Sequence, residues 1–194
     1  MLGLFLFLIT PRANAFLYTF TPSDADMFDL DHFKYYSWGI NWKTKPGEQI
    51  TGAEIFIDNI NNWQKEDNDK LYVNLLDYAK LGLKTFDDNQ GGGNNFDNWS
   101  GKHILLDTYT DKYDLPGPSE DYSYWFDANE IKKLDNYSAN DGRFGLGFDP
   151  DCHYFNDGVK LKIYTSVVPE PATVVMMMTG LVGSALRLRR KQTI

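Results

Sequence analysis

The densest group of residues able to do chemistry lies between positions 145 and 158. Asp149, Asp151, Asn156 and Asp157 offer oxygen atoms of the kind that Ca²⁺ prefers. Asp149 and Asp151 are two residues apart, so they point to the same side if the chain is extended. These four residues predict a calcium site, and calcium is the one cofactor that the sequence indicates.

Turn formation is the alternative role for these side chains. Asp and Asn also stabilise turns by hydrogen bonding to nearby backbone groups. The segment has no twelve-residue acidic loop ending in glutamate, which is the best-known calcium-binding pattern. Both interpretations therefore stay open at the level of the sequence.

Cys152, the only cysteine, stands next to His153. A thiolate nucleophile needs an imidazole within reach, but adjacent residues of an extended chain point to opposite faces. We therefore expect a small buried thiol, with an intermolecular disulfide in an oxidising compartment as the alternative. No nucleophile elbow, phosphate loop, dinucleotide fingerprint or zinc-protease helix motif occurs. We predict no catalytic residue and no enzymatic activity.

Three of the five tryptophans directly follow an asparagine: Trp42, Trp63 and Trp99. Sugar rings stack on flat aromatic faces, while amides and carboxylates bond to their hydroxyl groups. These three tryptophans are therefore candidates for glycan stacking. The alternative is that they are ordinary aromatic residues of the core and of surface contacts.

The charge of the 194-residue chain is unevenly placed. The formal net charge is -8, but residues 16–168 contain 26 of the 27 acidic residues and only 14 of the 19 basic ones. This middle part therefore carries a formal charge of −12, which argues against nucleic acid as a partner. Hydrophobic residues make up 42% of the chain and aromatic residues 15%, which is sufficient for a packed core.

The middle part has the pattern of an all-β protein. Eight short segments are rich in aromatic and β-branched residues or alternate between apolar and polar: 16–20, 33–40, 50–60, 71–78, 103–110, 122–128, 143–148 and 159–165. In the last segment Val159, Leu161 and Ile163 alternate with lysines, so one face of that strand is exposed to water. A helical turn or two is expected only within residues 129–137. We predict an antiparallel β-sandwich over residues 16–166, either jelly-roll or immunoglobulin-like.

The amino-terminal segment has the pattern of a secretory signal peptide. Its first nine residues carry no charged side chain, and Ala13 and Ala15 are small residues at the positions that signal peptidase requires. We predict that residues 1–15 are removed by signal peptidase after Ala15. An apolar first strand is the alternative.

The carboxyl-terminal segment, residues 167–194, has three ordered parts. Val168, Pro169, Glu170 and Pro171 precede an apolar run, from which we predict a transmembrane helix over residues 172–188. A basic tail follows, formed by Arg187, Arg189, Arg190 and Lys191. The positive-inside rule places this stop-transfer cluster in the cytoplasm and the acidic domain across the membrane.

These three parts resemble the PEP-CTERM sorting signal of Gram-negative bacteria. The resemblance covers residues 168–194 and implies exosortase, a membrane enzyme that cleaves near Pro-Glu-Pro, as a partner. It also implies export through the inner membrane, followed by transfer to the cell surface or the extracellular matrix. A plain single-span anchor is the alternative.

We therefore expect an exported protein of the cell surface or extracellular matrix, sorted by exosortase and anchored in the membrane before processing. Its domain would be a non-catalytic glycan-binding or structural component associated with exopolysaccharide or biofilm. A secreted carbohydrate-active hydrolase is the competing class, because a chain this rich in carboxylates can contain a pair at catalytic distance.

Overall fold

The computed structural model describes residues 15–63, 69–88, 99, 102–113 and 117–168. In this part of the chain ten β-strands and one α-helix follow one another. The strands are β1 Ala15–Phe20, β2 Lys34–Asn41, β3 Glu48–Asn62, β4 Lys70–Leu76, β5 Gly82–Asp87, β6 His103–Thr110, β7 Glu120–Trp125, β8 Arg143–Pro150, β9 Tyr154–Phe155 and β10 Gly158–Val167. The helix, α1, spans Ala128–Asp141, between β7 and β8. Most of the signal peptide, the Pro-Glu-Pro motif, the predicted membrane helix and the basic tail lie outside the described residues.

The strands form two antiparallel sheets. Sheet I has the order β1-β10-β3-β7, and the short β9 pairs with the end of β3. Sheet II has the order β5-β2-β8-β4-β6. The prediction of an antiparallel all-β protein is therefore confirmed.

The pairing is nested along the chain. β1 pairs with β10, β2 with β8, β3 with β7, and β4 with β6. Apart from β5 and β9, each strand of the first half therefore finds a partner in the second half, in reverse order. In its topology the chain is therefore one long hairpin, and its successive strand pairs belong alternately to sheet I and sheet II.

One hydrophobic cluster lies between the sheets. Both sheets contribute alternate residues to it, which is the expected consequence of the two-residue period of a strand. In β10, Val159, Leu161 and Ile163 are completely buried, whereas Lys160 and Lys162 are partly exposed. The predicted orientation of this strand is thus confirmed.

The helix is longer than the sequence analysis predicted. Its first turn is stabilised by a capping box, in which Asp127 accepts bonds from the backbone N–H of Asn129 and Glu130 while Glu130 bonds back to the Asp127 N–H. Gly142 ends the helix in a left-handed conformation. The prediction used only the spacing of apolar residues and overlooked these two end signals. It also missed β5 and β9, an exposed edge strand and a strand of two residues.

Candidate functional site: an aromatic pocket on the outer face of sheet II

Two of the residues predicted to bind calcium take part in hydrogen bonds around the turn before β10. The oxygen of the Asn156 side chain accepts from the N–H of Gly158 (3.0 Å), which is a local turn bond of the kind that the alternative interpretation proposed. The amide of Asn156 donates to the carbonyl of Asp26 (2.7 Å), and Asp157 accepts a bond of 2.7 Å from the amide of Asn59. These two bonds join the turn to distant segments of the chain.

The other two, Asp149 and Asp151, are buried at the end of β8 and just after it. The backbone N–H of Asp151 donates to the carbonyl of Lys70 (2.7 Å), which continues the pairing of β8 with β4. Among the residues that the structure describes, no three His, Cys, Asp or Glu side chains are grouped so that they could hold a metal ion. Calcium binding therefore remains a prediction from the sequence alone.

Trp42 packs at the junction of the two sheets. Its ring lies 5.1 Å from that of Tyr18 and 6.1 Å from that of Phe20, both on β1. It is partly buried against the core. Its contacts tie the first strand of sheet I to the segment that follows β2, which is a packing role.

Trp63 belongs to an aromatic cluster at the end of β3. It is 40% exposed and stacks on Phe155 with a centroid distance of 5.4 Å and an interplanar angle of 22°. The ring centre of His153 lies 4.7 Å from that of Trp63 and 4.4 Å from that of His32. Cys152, next to His153 in sequence, is completely buried, as predicted. The stacked rings of Trp63 and Phe155, which is 45% exposed, form an exposed ridge at the surface.

Trp99 lies on the outer face of sheet II. A Cβ atom on Gly147 of β8 would come within 2.6 Å of the ring atoms Cε2 and Cζ2 of Trp99, so the indole is in direct contact with the backbone of the strand. Gly147 is paired with Ser37 of β2 on one side and with Asn74 of β4 on the other. The missing side chain at position 147 therefore creates the space in which the indole lies.

A concave pocket adjoins this indole. Tyr35 and Phe86, paired across β2 and β5, stack with a centroid distance of 4.8 Å and an angle of 15°, and Trp99 meets Tyr35 edge-on at 6.0 Å. The cavity has a volume of about 240 Å³, and we call it the tryptophan pocket. Its lining residues are Tyr35, Ser37, Leu76, Tyr78, Ala79, Lys80, Phe86 and Trp99.

Several buried polar atoms near this indole have no hydrogen-bond partner among the residues that the structure describes. They are the indole Nε1 of Trp99 and the Nδ1 of His103, whose ring centre lies 6.0 Å from that of Trp99. The amide of Asn74, which is completely buried and paired with Gly147, has no partner within the same described residues. Asn74 does not line the tryptophan pocket.

Trp125 is the most exposed of the five tryptophans and was not among the predicted site residues. It lies on the outer face of sheet I, is 56% exposed, and stacks on Tyr164 at 5.3 Å and 22°. Trp125 stands between two aromatic residues and has no neighbouring Asn, so the Asn-Trp pattern did not select it. The alternating pattern of β7 was the signal that could have found it, because this pattern directs Trp125 away from the core.

Three tyrosine hydroxyls donate to carboxylates near the edge where β6 and β7 meet. The bonds are 2.8 to 3.0 Å long and join Tyr122 to Asp107, Tyr109 to Glu120, and Tyr124 to Glu130. Burial, and then the bonded carboxylate, raises the pKa of each tyrosine. The hydroxyls are thus protonated at neutral pH and act as donors that fix these side chains.

The fold defines the class of the domain, an antiparallel protein of two β-sheets. Comparison with known protein families identifies the carboxyl-terminal segment. Residues 167–191 match the family model of the PEP-CTERM protein-sorting motif, in agreement with the predicted segment of residues 168–194. The chain therefore carries the sorting signal of an exosortase substrate, and this signal implies export to the cell envelope or surface. No curated protein matches the chain. Within the ranges that the structure describes, no helix is long and apolar enough to cross a membrane.

Proposed function

We propose that this exported protein binds a sugar unit in the tryptophan pocket and acts, without catalysis, at the cell surface or in the extracellular matrix. The observation that carries the proposal is a concave pocket whose walls include the stacked rings of Tyr35 and Phe86 and the indole of Trp99. Sugar hydroxyls would bond to polar groups of the lining such as Ser37 and Lys80, while the apolar face of the sugar ring packs on the aromatic side chains.

The size of the pocket supports a small ligand. Pockets for drug-sized molecules measure roughly 300–1,000 Å³, and the tryptophan pocket has about 240 Å³. This volume accommodates about one sugar ring. We therefore propose recognition of a terminal or single sugar unit of an exopolysaccharide, and not burial of a long chain.

The nested strand pairing supports a jelly-roll topology over the immunoglobulin-like alternative. With β5 and β9 set aside, the orders β1-β10-β3-β7 and β2-β8-β4-β6 are those of a long hairpin rolled into two four-stranded sheets. Jelly rolls include lectin domains. This likeness concerns the fold alone and adds only an analogy to the argument for sugar binding.

The lining of the pocket favours binding over the competing hydrolase. Glycoside hydrolysis generally requires two carboxyl groups flanking the bond that is broken. Among the described residues that line the pocket there is no Asp, Glu or His, and Lys80 is the only ionisable side chain besides Tyr35 and Tyr78. Within the described lining, the composition therefore favours binding of a sugar over its cleavage.

We further propose the processing route expected from the sequence. Signal peptidase cleaves after Ala15, which leaves Phe16 to Phe20 of β1 in place. A helix over residues 172–188 holds the chain in the inner membrane until exosortase acts near Pro169, Glu170 and Pro171. The domain then resides at the surface or in the exopolysaccharide matrix.

Retention on the host's own exopolysaccharide tests the proposed function. The processed protein is passed over the immobilised polysaccharide as wild type, as Trp99→Ala and as Trp125→Ala, the last being a matched control on the other sheet. We expect Trp99→Ala to weaken binding about tenfold, which corresponds to 1.4 kcal/mol, and Trp125→Ala to leave it unchanged.

Two results would contradict the proposal. One is equal retention of wild type and Trp99→Ala, which would separate the pocket from any glycan binding. The other is the release of new reducing ends during incubation, which would favour the hydrolase. Substitution of Pro169, Glu170 and Pro171 by alanine tests the route separately, since we expect it to leave the protein membrane-bound at full length.

A further inference from the structure

An apolar surface lies at one end of the β1–β10 pair. Phe16, Leu17, Val167 and Val168 are 40%, 55%, 40% and 40% exposed, and we call these four residues the apolar edge. Leu17 is opposite Tyr164 on the outer face of sheet I, whereas Phe16 is opposite the buried Thr165, so the exposed apolar side chains lie on both sides of the edge strand β1 and at the end of β10. In a domain of formal charge −12, four exposed apolar side chains at one end of a strand pair indicate a contact surface.

The residues beside the apolar edge are of the types found at a membrane–water interface. Leu17 is opposite Tyr164, and the ring of Tyr164 stacks on the exposed ring of Trp125. The ammonium of Lys45 lies 6.0 Å from the ring centre of Phe16. Tryptophan and tyrosine are enriched at the headgroup level of membranes, and lysine places its stem on apolar groups and its charge in water.

The position of this surface along the chain identifies what covers it. β10 ends at Val167, and the apolar run of the sorting segment begins at Ala172. The four residues between them, 168–171, span at most about 14 Å when fully extended. If residues 172–188 cross the bilayer, as proposed above, the apolar edge lies within about 14 Å of the lipid surface.

The amino-terminal processing site lies at the same end. Ala15, after which signal peptidase is predicted to cleave, is paired with Ser166, two residues before Val168. The Val168 N–H also bonds to the Gly47 carbonyl (2.8 Å), which holds the exit of the chain against the sheet. Both ends of the domain therefore leave it at one corner.

We propose that the apolar edge rests on the lipid headgroups before exosortase acts. The domain is then held in one orientation, with sheet I next to the bilayer and residues 168–171 at the membrane surface. The tryptophan pocket, on the outer face of sheet II, points away from the lipid. This inference rests on the proposed membrane helix and is independent of sugar binding.

Site-specific fluorescence in vesicles tests the orientation. The chain of residues 16–194, which lacks the predicted signal peptide and keeps the sorting segment, is reconstituted in vesicles of phosphatidylethanolamine and phosphatidylglycerol (3:1). It carries an environment-sensitive label at Leu17→Cys or, as the matched control, at Leu105→Cys, an exposed leucine of β6 in sheet II. Wild type serves as the blank, because its only cysteine, Cys152, is buried.

We expect lipids brominated on the acyl chain to quench the label at position 17 at least about twofold more strongly than the label at 105, with a blue-shifted emission at 17 only. Equal, weak quenching at both positions would mean that the domain tumbles free of the membrane and would overturn the proposal. Failure of the chain to float with the vesicles would overturn it as well, while leaving the glycan experiment unaffected.

Intrinsic fluorescence provides a check that needs no cysteine. Trp125 stacks on Tyr164, which is opposite Leu17 of the apolar edge, and its side chain is exposed. We expect brominated lipids to quench part of the tryptophan emission of the wild-type chain and to lose this effect in Trp125→Phe. The same quenching in both proteins would contradict the proposed orientation.

Discussion

The outer faces of the two sheets are built differently. On sheet I, Trp125 and Tyr164 stack above Gly52, and a Cβ at position 52 would be no closer than 3.6 Å to Tyr164. On sheet II, a Cβ at Gly39 would lie 2.1 Å from the backbone oxygen of Lys80. A Cβ at Gly147 would lie 2.6 Å from the indole of Trp99. Sheet I leaves its aromatic residues exposed, whereas sheet II is covered by later segments of the chain.

This difference shows how the tryptophan pocket arises. A flat pleated face has no concavity of its own, so a pocket needs walls supplied from elsewhere. The glycines of β2 and β8 allow the segment 78–80 and the indole of Trp99 to approach the backbone closely, and these become the walls. Among the described residues, no segment approaches Gly52 of sheet I as closely, and the outer face of this sheet offers a surface for contact instead.

Gly39→Ala should give the largest effect. The new methyl group would overlap a backbone carbonyl, which cannot rotate away as a side chain can, so β2 and the segment of Lys80 must separate. We expect a loss of about 2 to 3 kcal/mol in the free energy of unfolding, measured by urea denaturation. Gly52→Ala is the matched control and should change stability by less than about 0.5 kcal/mol. Equal losses in the two variants would contradict the difference between the faces.

High pH should destabilise the core on which both faces rest. Tyr36, on the inner side of β2, has a pKa raised by burial to about 12, against about 10 for an exposed tyrosine. The folded state therefore holds this proton more tightly than the unfolded state. This contribution to stability is complete below pH 10 and is lost as the pH rises towards 12.

Urea denaturation at a series of pH values measures this dependence. We expect a constant midpoint up to about pH 10 and a steep decline above it. Tyr36→Phe cannot ionise at this position and should make the decline less steep, although it also removes the acceptor of the 2.8 Å bond from the Asp31 N–H. An unchanged slope in Tyr36→Phe would mean that other groups cause the alkaline unfolding.

Gly147→Ala should remove the pocket with little effect on the fold. Here the overlapping atoms belong to a side chain, so the indole of Trp99 can move away while the sheet persists. We expect a changed near-ultraviolet circular dichroism spectrum and about tenfold weaker glycan binding, as for Trp99→Ala. The double variant with Gly147→Ala and Trp99→Ala should bind the glycan no more weakly than Trp99→Ala alone. Unchanged binding in Gly147→Ala would show that the position of the indole is unimportant.

The three Asn-Trp pairs show what the sequence could and could not predict. All three have the same local pattern, yet Trp42 packs between strands, Trp63 forms an exposed ridge, and Trp99 lies in a pocket. These roles depend on which strand lies beneath each ring. That information is contained in the pairing of distant segments and not in the neighbouring residues.

Much of the fold could be predicted, because the strands follow from patterns of neighbouring residues. Alternation located eight strands, because burial of one face imposes a period of two. The sorting segment could also be recognised, since its parts are contiguous in sequence. The pocket could not be predicted, because its aromatic walls, Tyr35, Phe86 and Trp99, come from segments that are far apart in the sequence.

The smallest effects on stability are expected from the charged pairs of the two sheets. On sheet I, Glu54 is nearly buried and accepts bonds from Lys162 (3.0 Å) and Ser123 (2.7 Å). At the edge of sheet II, Lys34 and Asp87 form a pair that is open to solvent. We expect Glu54→Gln to lower the free energy of unfolding by about 1 kcal/mol, since a partly buried ammonium loses its charged partner.

Asp87→Asn, the exposed counterpart, should cause no measurable change, because water screens the pair that it removes. Urea denaturation at low and at high salt measures both effects, and salt should reduce the loss in Glu54→Gln only slightly. A larger loss in Asp87→Asn than in Glu54→Gln would contradict this difference, because the solvent-exposed pair at the edge of sheet II would then stabilise the fold more than the nearly buried carboxylate of sheet I.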